Sequence, residues 1–323
     1  MPGHSTLQIR SVTCGYGVSA GVVLQGPTRR HLKRGPLPVR VRLLDDPVLY
    51  IGDRQLPLTS RKAKALVAYL VLAPDMRESR ERLAGLLWSE SEDEKARACL
   101  RQLLHLLREA FEAAGVEGLS TDNSQVSLDA SIFRSDLDEA LTSVDQGVPA
   151  DILVDETNII DALLRGYDDV DPSFGSWLTV KRENLRQMFI RKLEAQLTCT
   201  SHSPEAGKRI ARALFQIDPT HEIACQKLMQ ACMASGNAGS ALAAYKMLWD
   251  RLDDEFDIEP STATQQLVVA IKSGHALTSD APDKTKNEAG GTSEADPVTS
   301  LAVRLALSWI TALDMDRAEK ITR

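Results

Sequence analysis

Between Val39 and Ala130 the hydrophobic pattern of this chain changes period twice, and that order restricts the fold more than any other feature. VRVRLL (39–44), PVLYIG (47–52) and RQLPL (54–58) read as strands, broken by turn residues at Asp45–Asp46–Pro47 and Gly52–Asp53. Three helical patterns follow. SRKAKALVAYLVLA (60–73) gathers Ala63, Leu66, Val67, Leu70 and Val71 on one face and stops at Pro74–Asp75. Ser79 is placed to cap RERLAGLLW (80–88), and KARACLRQLLHLLREAF (95–111) carries the third pattern. GLSTDNSQVSLDA (118–130) then reverts to strand, turn and strand, with the turn at Asp122–Asn123–Ser124. Sheet, three helices and hairpin make the layout of a winged helix. Its second and third helices form a helix-turn-helix, and the third lies in the major groove of DNA.

The third helix deserves its place in that layout. Wound at about 3.6 residues per turn, it puts Leu100, Leu103, Leu104, Leu107, Ala110 and Phe111 on one side. Arg97, Arg101, His105 and Arg108 fall on the other, within an arc of about 80°. Lys95 and Arg97 are expected in the first turn, where the helix dipole disfavours positive charge by a few tenths of a kcal/mol. Glu92, Asp93 and Glu94 just upstream offset part of that cost. A lone basic stripe is more often a solvated face. It gains meaning from the elements around it.

Charge is divided unevenly along the 323 residues, whose net charge is −7. Residues 1–134 hold 19 basic and 15 acidic side chains, whereas residues 135–323 hold 19 and 30. The first part is therefore the one suited to a polyanion, through focused rather than diffuse contacts. Hydrophobic content of 43% and charged content of 26% are those of an ordinary globular protein. The five cysteines (Cys14, Cys99, Cys199, Cys225 and Cys232) form no metal-like pair, and an odd number completes no disulfide framework. A reducing, cytoplasmic setting follows as the expectation. The apolar run Val18–Leu24 is interrupted by Gly21 and lacks a basic n-region, so no signal peptide is expected. No stretch approaches the roughly 20 apolar residues of a membrane-spanning helix.

Five segments are expected. Residues 1–36 end in TRRHLKRGP and read as a flexible basic arm; residues 37–134 are the winged helix. Residues 135–273 are almost wholly helical, with helices near 136–146, 156–165, 174–199, 204–217, 220–235, 238–255 and 260–272. Small residues at Ala211, Ala213, Ala231, Ala234, Ala241 and Ala244 suit close helix approach, as in stacked tetratricopeptide-like hairpins. Residues 274–300 read as a linker, and 301–323 as an amphipathic helix or the stub of a further domain. The fold class expected is mostly α, an α+β winged helix followed by an all-α domain.

Catalytic signatures are missing from this pattern. There is no Walker A sequence, HExxH or GxSxG, and GYGVSAG (15–21) has the wrong spacing for a dinucleotide loop. DDVDPS (168–173) lacks the twelve-residue calcium pattern and is expected to cap the long helix near Phe174. No enzyme activity, cofactor or metal is expected. Trp177 and Trp249 are expected as core anchors, and Cys99 as a small buried apolar residue.

With SRKAKALVAYLVLAP, SRERLAGLLW, KARACLRQLLHLLREAF and the hairpin at 119–129 in view, the chain resembles the SARP-type bacterial transcriptional activators. DPSFGSWLTVKRENLRQMFIRKLEAQL and ALAAYKMLWDRLDDEFDIEPS look like the bacterial transcriptional activation domain of that family. The resemblance covers roughly 37–273. It implies that Arg97, Ala98, Arg101, Gln102, His105 and Arg108 face the groove, and that Ser79 and Arg80 approach phosphate. It also implies that the wing tip, Asn123 and Ser124 with Gln125, touches the neighbouring minor groove or backbone. Family wings often carry Gly and Arg there; this one is acidic and polar. The connection WSESEDE, with Ser89, Glu90, Glu92, Asp93 and Glu94, matches the loop by which OmpR-like activators address RNA polymerase. Double-stranded promoter DNA, RNA polymerase and a second copy on tandem repeats are thus the implied partners, at the nucleoid and without a membrane. The competing reading is a tetratricopeptide-like interaction scaffold without sequence-specific DNA binding; only the basic stripe within its layout separates the two.

Overall fold

A computed structural model describes residues 38–199 and 202–273. The arm at 1–36, the linker at 274–300 and the helix at 301–323 lie outside these residues. The first half runs β1 (Val39–Arg42), β2 (Val48–Ile51), β3 (Arg54–Leu56), α1 (Arg61–Leu72), β4 (Arg77–Ser79), α2 (Arg80–Leu87), α3 (Asp93–Ala113), β5 (Leu119–Thr121), β6 (Gln125–Leu128) and β7 (Phe133–Ser135). The second runs α4 (Asp136–Asp145), α5 (Asp151–Asp155), α6 (Pro172–Thr198), α7 (Pro204–Ile217), α8 (Glu222–Ala234), α9 (Ala238–Phe256) and α10 (Thr262–Lys272). The fold is mostly α, a winged helix followed by a helical domain.

The alternation read in VRVR is real: Val39 and Val41 are buried while Arg40 and Arg42 are exposed. β1, β2 and β3 form an antiparallel meander in which Val39 faces Ile51 and Leu49 faces Leu56. Two strands escape the sequence pattern because, unlike the equally short β3 and β5, neither adjoins a hairpin turn and each pairs with a strand far along the chain. β7 pairs parallel with β1, giving a four-stranded sheet of order β3-β2-β1-β7. β4 pairs with β6, so the wing is a three-stranded sheet of order β4-β6-β5.

Caps set the helix starts. Ser60 accepts from the Ala63 amide, Ser79 from Arg82, and Ser135 forms a reciprocal capping box with Asp138. α3 begins at Asp93, two residues before the expected start. Asp93 and Glu94 therefore occupy its first turn, and Arg97 moves beyond the reach of the dipole.

The expected helix at 156–165 is replaced by a short 3-10 turn at Ile159–Ala162, preceded by α5. Ile159, Ile160, Ala162, Leu163 and Leu164 are all buried and only Asp161 between them is exposed, so this run shows no polar face at helical spacing. Its backbone bridges instead to the segment just after β1: Leu164 N donates to Leu43 O at 2.9 Å. Farther on, α6, α7, α8 and α9 pack each on the next, and α10 closes on α8 and α9. Ala211, Ala213, Ala241 and Ala244 are buried at these approaches; Ala231 is half-buried and Ala234 exposed. The turn before α9 needs a left-handed residue, and Gly236 supplies it with φ 71°.

The winged helix and the helical domain share one core. Tyr69 of α1 lies 4.7 Å from Trp177 of α6, and Trp177 lies 5.1 Å from Phe174. Trp249 departs from expectation: half-buried, it stacks 6.0 Å from Tyr245 on the outer side of α9. Polar contacts seal the same seam. Arg61 pairs with Asp169 at 2.6 Å and donates to Gly166 O, and Lys181 Nζ donates to Leu72 O at 2.8 Å. Burial pushes the Lys181 ammonium pKa down. Burial also works against the Asp46 carboxylate, but bonds from Lys64 and Tyr167 more than offset it and hold its pKa below the usual value. Asp136 accepts from the Leu43 and Leu44 amides, although burial raises its pKa.

Gly175 sits where α6 passes closest to the loop that precedes it. A Cβ there would stand 2.3 Å from the Asp168 carbonyl oxygen, so backbone would have to move. Gly175→Ala is expected to lower stability by about 1–3 kcal/mol in denaturant unfolding; an unchanged midpoint would show that the loop yields freely.

Candidate nucleic-acid interface

α3 buries Ala96, Leu100, Leu103, Leu104, Leu107 and Phe111 against α1, α2 and the sheet; the Phe111 ring lies 5.8 Å from that of Phe133. Ala110 is only half-buried. Because that arc faces inward, Arg97, Arg101, Gln102, His105 and Arg108 are exposed, with Ala98 half-buried at their side. Cys99 is half-buried rather than buried, on the far side of the stripe.

The stripe is not uniform. Arg108 Nη2 donates to Thr121 Oγ1 at 2.5 Å, tying the helix to strand β5 of the wing. His105 Nε2 lies 3.4 Å from Glu109. Among the described residues, Arg97 and Arg101 have neither a hydrogen-bond nor an ion-pair partner for their guanidinium groups. They are the two free cationic forks on this face.

The wing tip is built by an Asx turn. Asp122 accepts from Ser124 N at 2.7 Å, Ser124 Oγ at 2.9 Å and Gln125 N at 2.6 Å. These bonds hold the Asp122 carboxyl below the usual range. Arg80 joins this tip to α2: its backbone N–H donates to Ser124 O at 2.8 Å and its Nη1 to Asp122 O at 3.1 Å. Ser79, Arg80, Asn123 and Ser124 thus form one continuous edge, with Asn123 exposed at its end. Ser79 is committed to capping, its Oγ accepting from Arg82 N at 3.1 Å.

The acidic connection is divided too. Glu90, Glu92, Asp93 and Glu94 are exposed. Ser89 turns to the helical domain, its N–H donating to Asp171 Oδ2 at 3.0 Å and its hydroxyl to Asp171 Oδ1 at 2.6 Å. Asp171 was legible only as a cap, and α6 starts at Pro172 rather than Phe174. Its partner lies 82 residues away, and no local pattern carries such a pairing. Arg77, exposed on β4 beside the wing, was missed with its strand. Among the described residues, no three His, Cys, Asp or Glu side chains are grouped to hold a metal, and no helix is long and apolar enough to cross a membrane.

Comparison with known proteins bears on the helical half. No curated protein matches the chain. A solved structure, Mycobacterium tuberculosis EmbR in complex with a low affinity phosphopeptide, is similar at 21% identity and a TM-score of 0.48. The match covers 85% of this chain and 71% of that one. Residues 128–272 match the family model of the bacterial transcriptional activator domain. The chain therefore carries a region similar to that domain behind a winged helix.

Proposed function

We propose that this transcriptional regulator binds double-stranded promoter DNA sequence-specifically through α3 and recruits RNA polymerase through the exposed acids of the connection to α3. The observation that carries the reading is the pair of free guanidinium groups at Arg97 and Arg101. In the helical half, Arg165, Arg182, Arg186, Arg209, Arg212 and Arg251 each face a carboxylate, and among the described residues Arg191 does not. On α3 of a chain with net charge −7, two arginines one turn apart face none. A guanine edge presents O6 and N7 to such a fork, and each good bidentate pair contributes about 1–3 kcal/mol of discrimination.

Arg80, Ser79 and the wing tip supply the phosphate side of the contact, which positions the helix without reading sequence. One winged helix offers a small interface, so two copies on tandem repeats complete the specific complex. Bound in this way, the protein works at the nucleoid.

The test is fluorescence anisotropy on genomic fragments, the gene's own upstream region included, across a salt series. Selective binding is expected, with log affinity falling linearly against log salt by about 0.9 per phosphate contact. If no fragment binds at low salt, the DNA-binding reading fails and a protein-interaction scaffold takes its place.

A further inference from the structure

Resting on the polymerase reading above, we propose that Asp171 of the activator domain is a positioning residue for activation. It clamps the acidic connection in its polymerase-facing form, while itself touching neither DNA nor polymerase.

The geometry is unusual for a helix cap. An N-cap carboxylate ordinarily satisfies one or two amides of its own helix. Asp171 accepts from Ser173 N at 3.0 Å and from both donors of Ser89, so its two oxygens hold three bonds from two parts of the fold. Only 6% of Asp171 is exposed, and a carboxylate so placed is tolerable only while such donors are present. The start of the connection is fixed from its other side as well. Lys62 Nζ donates to Leu87 O at 2.5 Å and lies 4.8 Å from the centre of the Trp88 ring. Ser91 N then turns back to Trp88 O at 3.1 Å. Glu90 and Glu92 therefore leave a backbone anchored at residues 87–89, and one anchor is the N-cap of α6. The cap itself is wedged: Gly175 N donates to Asp171 O at 2.9 Å, at the helix turn where Asp168 leaves no room for a Cβ.

The experiment uses the full chain and three readouts: promoter affinity by anisotropy, transcription by purified RNA polymerase from the bound promoter, and amide hydrogen exchange over residues 88–92. Asp171→Ala is expected to speed exchange in that stretch about tenfold, the effect of losing charge-assisted bonds. Transcription falls while promoter affinity stays within about twofold, since the hydrogen bonds of Ser89 and Asp171 involve neither the groove-facing side chains of α3 nor the wing. Asp171→Ala also uncaps α6, so Ser89→Ala serves as the second variant. It leaves Asp171 capping Ser173 and should move exchange and transcription the same way, with unfolding unchanged; Ser89→Thr, which keeps the hydroxyl, should restore both. Unchanged exchange in Asp171→Ala, or a loss of transcription that merely follows a loss of promoter affinity, overturns the proposal. A combined Glu90→Ala, Glu92→Ala, Asp93→Ala variant separates the two readings. If it activates fully, the polymerase contact lies elsewhere and the underlying reading fails. If it is inactive while Asp171→Ala activates normally, the clamp alone is wrong.

Discussion

Arg101→Ala is expected to erase most of the sequence preference of promoter binding, lowering affinity for the preferred fragment by about 1–3 kcal/mol with little change for unrelated DNA. The reason is the position of the side chain. Arg101 stands exposed one turn after Arg97 on the outward side of a helix whose inner arc is filled by Leu100, Leu104 and Leu107. Its fork is free among the described residues, so binding need break no internal bond first.

Two comparison variants sharpen the result. Arg101→Lys keeps the charge, and so the salt dependence, but loses the planar fork; discrimination should fall almost as far as with alanine. Arg108→Ala should act differently, because the Arg108 guanidinium already bonds Thr121 on the wing. Its removal is expected to weaken binding across all sequences through a looser wing. Equal loss on preferred and unrelated fragments in Arg101→Ala would show that the residue meets phosphate rather than a base edge, and the salt slope would then shrink by about 1.

The largest stability effect is expected at Phe174→Ala, about 3–5 kcal/mol. Phe174 is fully buried, and its ring leads through Trp177 to Tyr69 on α1. The cavity would open where the helical domain supports the winged helix, not within either alone. Unfolding followed by tryptophan fluorescence and by loss of DNA binding should therefore shift together to lower denaturant, as one transition. If DNA binding survives past the fluorescence transition, the winged helix is stable by itself and the shared core matters less than its burial suggests.

How far these features were legible differs by element. The exposed stripe, the capping serines and the long helices repeat within a few residues, and the physics that forms them is equally local. A 3.6-residue period fixes which side chains share a face, and a serine hydroxyl caps an amide three positions on. Arg97, Arg101 and the cap at Ser79 could therefore be named from sequence. β4 and β7 could not, because no hairpin turn announces them and each exists only through a partner far along the chain, β6 and β1. The run Ile159–Leu164 misled for the opposite reason: buried at every position but Asp161, it carries apolar character without a polar face.

The division of labour within the site shows the same boundary. Sequence periodicity alone determined that this chain presents a basic helix face within a winged-helix layout. Which of those arginines remain free was decided only when the wing folded back and Thr121 took Arg108. Tertiary structure likewise turned Ser89 away from the acidic loop and onto Asp171. Both are pairings between residues distant in the chain, and a hydrogen bond forms between whichever donor and acceptor the packed core brings within about 3 Å.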